Sequence, residues 1–356
     1  MSEYISRYTK VAISKQREST INTPKTLSSD FIGALMTGRG RLIPQLEKID
    51  DGNKQGSGRE FPSQQPRANY WEHNAYGLAD ELNMLVAPRL IHRALGGAVT
   101  PTTVLASMVY KHKSVMMVDT DGLQPPSTTL IVANGADDFL FPSMVVDSWQ
   151  IQQNRAEFPQ FSVNGVNTGL WKDLSVDYPS LNPPTPDPDH YCHGAATEVS
   201  WTGSNGSFAA ASSNRLRSLT LGYNNQLQQN DRRPGDPFLT SGDQRTGAYV
   251  RNLRRGPQRQ ITAQVVLTLD SSHPEFDDMK ANQIITNLTY KFTGPIISGA
   301  YAYEHTFVIP KAYILSVKPQ EDGDDELSVV EFRPLEDSVT KGLITYECQT
   351  DEASMN

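Results

Sequence analysis

Alternating apolar and polar residues dominate the C-terminal half of the chain, and a period of two is typical of strands with one buried face. Segments with this period lie at 216–223, 260–270, 284–294 and 305–317. Residues 326–350 continue the pattern and predict a closing hairpin. A single short helix is expected at 271–283, because Ser272 can cap it, Pro274 suits its first turn and acidic residues follow.

The N-terminal half repeats this order with a weaker pattern. Strands are predicted at 7–14, 113–119 and 128–134, followed by a hairpin at 143–169. Residues 78–97 predict the strongest helix, because leucines recur at helical spacing and Gly96 and Gly97 would stop it. Pro88 is expected to kink or split this helix. The predicted fold class is therefore mainly β, with one helix in each half.

A proline-rich segment separates the two halves. Residues 178–190 hold five prolines and show no apolar periodicity, which favours an extended linker. The predicted domains are 1–177 and 191–356, and their shared element order suggests a divergent tandem repeat. In one alignment the closing hairpins lie 184 residues apart, and a rival alignment sets the segment at 146–151 against 216–221. We prefer the first alignment because it keeps the helix in the middle of both halves.

Each half also contains a long polar segment, which we call the first excursion (15–66) and the second excursion (224–258). Loops of this length inside a compact domain are usually functional or disordered. The second excursion contains most of the clustered arginines, together with an aromatic residue. The residues proposed for contact are Arg232, Arg233, Tyr249, Arg254 and Arg255. A solvated loop is one interpretation, and a protein contact surface is the other, because arginine is enriched at interfaces.

Composition narrows the class of protein. The net charge of −8 argues against a broad basic face that grips nucleic acid. No apolar run approaches the roughly 20 residues of a membrane span, so no membrane anchor is expected. The first 20 residues lack the apolar core of a signal peptide, which predicts a chain that stays in the cytosol unless other machinery exports it. The two cysteines predict buried or idle thiols and no disulfide framework.

Motifs for catalysis or metal binding are incomplete. The sequence contains no Walker-type loop, no dinucleotide-binding glycine pattern and no nucleophile elbow. Residues 118–126 imitate a calcium loop without its third acidic position or its closing glutamate, which favours a turn. His190, Cys192 and His193 could supply metal ligands, but no second pair stands at zinc spacing. We therefore predict no catalytic, metal or cofactor site.

The order of these elements resembles the tail tube proteins of long-tailed bacteriophages, in the branch with two tube domains per chain. The features that carry the resemblance cover most of residues 8–350. They are "VAISKQREST", "LVAPRLIHRALGG", "PSMVVDSWQIQ", "QFSVNGV", "LRSLTLGYNNQL", "RQITAQVVLTL" and "VVEFRPLEDSVTKGLITYE". The long first excursion and the acidic segment 320–326 depart from the family pattern.

The resemblance implies a β-sandwich or barrel with a flanking helix in each of the two domains. It also implies a structural virion protein that is assembled in the host cytoplasm. Rings would form from three chains with pseudo-sixfold symmetry, and stacked rings would enclose a channel for DNA ejection. The expected partners are further copies of the chain, the terminator, tail-tip and tape-measure proteins, and DNA that passes without sequence-specific binding. The second excursion would reach the adjacent ring, and acidic residues that faced the channel would repel phosphates.

Three other classes stay open on the sequence alone. A tail-tip or tail-terminator ring protein could share the fold. A glycan-binding β-sandwich would place clustered tryptophans and tyrosines on one face, although the four tryptophans are scattered along the chain. A hydrolase would need a cleft with perturbed acids or a nucleophile.

Overall fold

The structure is a computed structural model in which the chain is mainly β, as predicted. It describes residues 10–26, 31–34, 46–49, 68–71, 75–106, 108–117, 124–133, 138–155, 157–174, 190–228, 238–239, 247–248, 253–256, 259–269, 274–322, 325–338 and 342–355. No helix in these ranges is long and apolar enough to cross a membrane.

Seven antiparallel strands form one layer of a sandwich, which we call the first layer. In spatial order they are β5 (Ala75–Glu81), β10 (Gln160–Val166), β9 (Asp138–Asn154), β14 (Leu216–Asn224), β17 (Gln260–Thr268), β20 (Asp325–Pro334) and β19 (Tyr301–Asp322). The predicted hairpin at 143–169 is confirmed as the β9–β10 pair, in which Phe161 lies opposite Ile151.

The second layer shares strand β19 with the first. In spatial order it holds β6 (Thr100–Leu105), β7 (Val109–Val115), β21 (Thr345–Thr350), β19, β18 (Ile284–Ser298), β12 (Thr197–Thr202) and β13 (Ser207–Phe208). Tyr313 of β19 pairs with Ile284 on one side and with Arg333 of β20 on the other. The strand therefore forms the corner at which one layer continues into the next.

Large aromatic side chains fill the space between the layers. Trp149 of β9 lies 5.4 Å from Phe307 of β19 between ring centroids, and Trp201 of β12 lies 5.3 Å from Phe332 of β20. All four side chains are at most 5 % exposed. Burying each of these rings contributes on the order of 2–3 kcal/mol, so these contacts account for much of the attachment between the layers.

A smaller group of strands surrounds the buried helix of the first half. It consists of β2 (Phe31–Ala34), β1 (Lys10–Ser14), β8 (Thr128–Ala133), the start of β9 and β11 (Lys172–Asp173). Every residue of helix α1 (Val86–Leu95) is buried, and Gly96 ends it in the left-handed conformation with φ of 78°. Helix α2 (Pro274–Lys280) and two 3-10 turns, Gly194–Ala196 and Ala210–Arg215, complete the helical elements of the described chain.

Four short strands form a separate sheet. They are β3 (Leu46–Ile49), β4 (Ala68–Trp71), β15 (Phe238–Leu239) and β16 (Gly247–Ala248). The first excursion supplies β3, and β4 follows it directly, whereas the second excursion supplies β15 and β16. The sheet therefore joins segments that are far apart in sequence.

Strands from the two predicted domains pair with each other at two places. Strand β9 pairs with β14 over seven residue pairs, from Ser218 opposite Asn154 to Asn224 opposite Ser148. Strand β21 pairs with β7, where Cys348 lies opposite His112. Both halves thus contribute to the same hydrogen-bonded sheets. The division at 178–190 and the tandem repeat stay predictions.

Two of the predicted elements differ in the structure. The N-terminal part of the predicted helix 78–97 is strand β5, because its backbone pairs along the whole of β10; the helix begins only at Val86, so Pro88 lies in its first turn and does not split it. The predicted hairpin at 326–350 is also wrong. Strands β20 and β21 lie end to end along one edge of β19 and do not pair with each other.

The helix predicted at 271–283 is confirmed as α2, although Ser272 lies outside the described residues.

Candidate assembly surface

The two ends of the second excursion meet at its base. The chain leaves β14, and the Gln228 amide donates to the Arg254 carbonyl at 2.7 Å where the chain returns. Leu227 and Leu253 pack there with Val145 of β9 in a small apolar cluster. The described ends of the excursion are therefore fixed on the body of the protein.

Asn225 anchors this base to the first half. Its side chain is 1 % exposed, and its Nδ2 donates to the carbonyls of Ala94 and Val146, each at 2.9 Å. The Oδ1 atom accepts a hydrogen bond from the Tyr223 hydroxyl at 2.9 Å. Because the amide is buried, each of these bonds replaces one that water would otherwise supply.

Two arginines bind a single carbonyl near the end of α1. Arg255 is 3 % exposed, and its Nη1 donates to the Met117 carbonyl at 2.6 Å; Arg259 Nη1 donates to the same oxygen. The Met117 amide in turn donates to Leu95 at the C-terminus of the helix. Cations are favourable near this end of a helix dipole. Burial raises the pKa of Tyr223 to about 12, while Arg259 and Arg255 act in the opposite direction.

A buried carboxylate anchors the start of the first excursion. Glu18 is 6 % exposed and accepts hydrogen bonds from the hydroxyls of Ser127 and Thr129, each at 2.7 Å, and from the Ser143 amide at 2.9 Å. Arg93 of α1 donates to the Ser14 carbonyl at 2.8 Å. Both excursions therefore start from segments that are bonded to α1 or to the strands around it.

The excursions are also linked away from their bases, through strand β4, which follows the first excursion. Ala248 of β16 pairs in parallel with Tyr70 of β4, which pairs with Glu47 of β3. The small sheet thus combines backbone from both excursions into one unit. A contact made by either excursion would be coupled to the other through these hydrogen bonds.

The predicted contact residues fall into two groups. Arg254 is half-buried at the base and Arg255 is occupied by its contact with Met117. Arg232, Arg233 and Tyr249 lie outside the described residues. Their role between rings stays a prediction.

One part of the outward surface of four strands in the first layer, which excludes Arg217 of β14, carries no charged residue. It is a grid of three rows on β10, β9, β14 and β17, in which residues of one row are cross-strand partners. We call it the neutral face, and its rows are Gln160, Gln152, Thr220 and Gln264; Ser162, Gln150, Gly222 and Thr262; and Asn164, Ser148, Asn224 and Gln260. All except Gly222 are exposed or half-buried.

The strands that flank the neutral face carry charged residues. Glu81 of β5 pairs with Gln160, and Glu331 of β20 pairs with Gln264. The Glu331 carboxylate accepts a hydrogen bond from the Ser316 hydroxyl at 2.8 Å, which with Lys318 lowers its pKa. Charged residues make up 20 % of the whole chain, so about two of twelve average positions would be charged. The neutral face has none, and it is therefore less charged than the chain as a whole.

A buried polar cluster lies between α1 and the second layer. His92 Nδ1 lies 2.7 Å from the Ser114 hydroxyl, and His305 Nδ1 is hydrogen-bonded to the Tyr346 hydroxyl. Burial lowers the pKa of His305 to about 3. It also lowers the pKa of His112 to about 4, with a contribution from nearby Arg89.

The chain after β21 is bonded to this cluster. Arg89, which is 0 % exposed, forms an ion pair with Glu352, and the Glu352 carbonyl lies 2.7 Å from His112 Nε2. Lys15 also pairs with the Glu352 carboxylate at 3.3 Å. This segment therefore holds together β1, α1 and β7.

The three candidate metal ligands of the sequence do not converge. His190 Nε2 lies 3.1 Å from the Tyr303 hydroxyl, Cys192 donates to the Thr293 carbonyl at 3.4 Å, and His193 is exposed beside Phe158. Burial raises the pKa of Cys192 to about 12. Cys192 and Cys348 are both free and buried, as predicted. Within the described ranges no group of three potential ligands could hold a metal ion.

Sequence reasoning missed the buried anchors Asn225 and Glu18, and it assigned Arg255 to an external contact although its side chain is buried. Each lies in a polar segment without periodicity, so no local pattern distinguished it from a solvated residue. The neutral face could have been found from the sequence, because the alternating polar positions within 148–152, 160–164, 220–224 and 260–264 are all uncharged.

Comparison with known proteins identifies a protein family. A family model described as "Phage tail tube protein" matches residues 17–337. No curated protein matches the chain.

Proposed function

The chain belongs to the phage tail tube protein family, and we propose that it is the major subunit of a tail tube whose stacked rings enclose the channel for DNA ejection. The family is one of structural virion proteins that assemble into a tube with other tail proteins, and it is not a known class of enzyme. The stacked rings, the channel and the role of major subunit go beyond membership of the family and are what we propose here.

The observation that carries the proposal is the paired arrangement of the two excursions. Asn225 and Arg255 fix the second excursion at its base, and Glu18 fixes the first. Strand β4 links them, because it pairs with β16 of the second excursion and with β3 of the first. Contact surfaces that are held in position before binding lose less conformational freedom when a partner is bound. This arrangement favours a stacking element that contacts the adjacent ring.

A ring of three chains with pseudo-sixfold symmetry is the assembly that we propose. It rests on the tandem repeat predicted from the sequence and on the pairing of both halves within shared sheets. The sheets have edge strands, such as β5 and β6, that could pair with a neighbouring subunit and remove exposed edges. The terminator, tail-tip and tape-measure proteins are the further partners of this proposal, with assembly in the host cytoplasm.

A tail-tip or tail-terminator protein is the alternative within the same fold. Such a protein would form a ring that does not stack without limit. The glycan-binding alternative loses support because Trp149, Trp171 and Trp201 are at most 5 % exposed and cannot present a sugar-binding platform. The side chain of Trp71 lies outside what the structure describes.

Electron microscopy of the purified protein tests the proposal. We expect tubes with a regular axial repeat and a central channel, and the symmetry of a cross-section gives the number of chains in each ring. Single rings that never lengthen at high protein concentration would favour the terminator or tail-tip alternative. A protein that stays monomeric under all assembly conditions would contradict the proposal.

A further inference from the structure

The neutral face has the chemistry of a surface that touches a polyanion without holding it. DNA binding is dominated by lysine and arginine contacts to phosphates, which release counterions. None of the residues on the neutral face carries a charge, so the face supplies none of these contacts. Its amides and hydroxyls can remain bonded to water while a neighbouring chain moves past.

The same face is also poorly suited to a protein partner. Interface cores are enriched in aromatic residues, methionine and arginine, and the neutral face contains none of these. Exposed apolar side chains lie elsewhere in the described structure: Ile296 is 71 % exposed and Met108 is 53 % exposed, both near the tip of the β18–β19 hairpin, where Ser298 Oγ lies 3.8 Å from the Met108 sulfur. Contacts between subunits are therefore favoured at those surfaces.

We infer that the neutral face lines the channel of the tube and forms the surface along which DNA passes. The inference rests on the proposed tube, and it names the surface that meets the DNA. The lining would then be non-adhesive because it lacks charge, rather than repulsive through the overall acidity of the chain. The opposite surface of the sandwich, the outward side of β12 and β18, would face away from the channel.

Cysteine labelling of assembled tubes tests the inference. The native Cys192 and Cys348 are 0 % and 1 % exposed, so an introduced cysteine is the reactive thiol. Gln152→Cys and Thr262→Cys place a thiol on the neutral face, and Glu198→Cys places one on the outward side of β12 as a matched control. Each variant is treated, before and after assembly, with a small maleimide and with a maleimide coupled to a large polyethylene glycol.

In free subunits both reagents should label all three variants. In tubes the small reagent should still label Gln152→Cys and Thr262→Cys, while labelling by the large reagent should fall at least tenfold because it cannot enter the channel. Glu198→Cys should keep its labelling by both reagents. Equal labelling of the neutral face by the large reagent would place that face outside, and loss of labelling by both reagents would place it between subunits. Either result would overturn the inference and leave the tube itself intact, whereas failure of the unmodified chain to form tubes would count against the proposed function.

Discussion

The Asn225 side chain, on the second excursion, donates a hydrogen bond of 2.9 Å to the carbonyl of Ala94, in the last turn of helix α1. The two residues are 131 positions apart and belong to different halves of the chain. The bond satisfies a carbonyl at the end of a helix that has no partner within the helix itself. It therefore links the base of a surface segment to the most deeply buried helix.

Replacement of Asn225 with alanine should destabilise the protein by about 2–3 kcal/mol. The change removes both donations by Nδ2 and leaves the carbonyls of Ala94 and Val146 buried without that donor. Urea denaturation followed by circular dichroism measures the loss. The exposed residue Asn214 provides the control, because Asn214→Ala should change the free energy of unfolding by less than about 0.5 kcal/mol. Equal stability of Asn225→Ala and the unmodified chain would refute the anchoring role.

Substitution of Glu18 with glutamine should cost about 3 kcal/mol of unfolding free energy. The buried carboxylate accepts from two hydroxyls and an amide, and a glutamine side chain would turn a donor toward at least one of them. The exposed Glu157→Gln variant removes the same charge without these contacts and should be nearly neutral. Thermal melts of both variants measure the difference, and similar melting temperatures would contradict the role of Glu18 as a buried anchor.

Stability should fall as the pH is lowered from 7 to 5, in part because of His305. Its pKa is near 6.5 in the unfolded chain and about 3 in the folded protein, so the unfolded state binds the proton more readily in this range. The contribution of this histidine is complete above pH 6.5, and about 2 kcal/mol of it is lost by pH 5. His305→Asn should reduce the measured loss by that amount, and the exposed His193→Asn is the control for replacing a histidine at the surface. Denaturant titrations at pH 7 and pH 5 measure the loss of unfolding free energy for each variant. If His305→Asn lost as much as the unmodified chain, His305 would not be a source of the pH dependence.

Replacement of residues 229–252 with a four-residue Gly-Ser turn should give a folded subunit that does not assemble. Gln228 and Arg254 already lie side by side, so a short connection closes the chain, and the loop-closure entropy favours it. Asn225, Leu253 and Arg255 are retained and keep the base intact. Circular dichroism reports folding and electron microscopy reports assembly. Tubes of normal length would show that the second excursion is not the stacking element.

Three lysines on the neutral face should make the tube retain DNA. The variant combines Gln152→Lys, Gln260→Lys and Thr262→Lys, and a fluorescent 20-base-pair duplex is the probe. A site with three phosphate contacts should lose roughly 40-fold in affinity between 50 and 200 mM salt. Tubes of the unmodified chain should not retain the duplex at either concentration. Retention by unmodified tubes, or none by the lysine variant, would contradict the non-adhesive character of this face.

Local pattern was sufficient where each strand has one buried and one exposed face. Strand β14 follows the predicted alternation because Leu219, Leu221 and Tyr223 all point to the core, and β17 does the same. The pairing of β9 with β10 followed from their proximity in sequence. The mainly β class and the existence of α2 could thus be read from the residues.

The sequence did not show which strands pair when they lie far apart in the chain. Leucines at 78 and 82 satisfy a helical period, but pairing with β10 makes 75–81 a strand. Residues 326–350 look like a hairpin, but both of its strands find their partner in β19. The base of the second excursion is held by the buried side chains of Asn225 and Arg255. Their partners, the carbonyls of Ala94 and Met117, lie in or near α1, far away in the sequence.

The pairing of β7 with β21 also constrains the order of events during synthesis. His112 of β7 bonds to the Glu352 carbonyl, which lies 240 positions later in the chain. At about 5–20 residues per second, a ribosome needs roughly 10–50 s to add that length. Until then one edge of β7 lacks its partner strand and Arg89 lacks its carboxylate. A nascent chain therefore cannot complete the second layer early, which delays competence for assembly until this distant strand has been made.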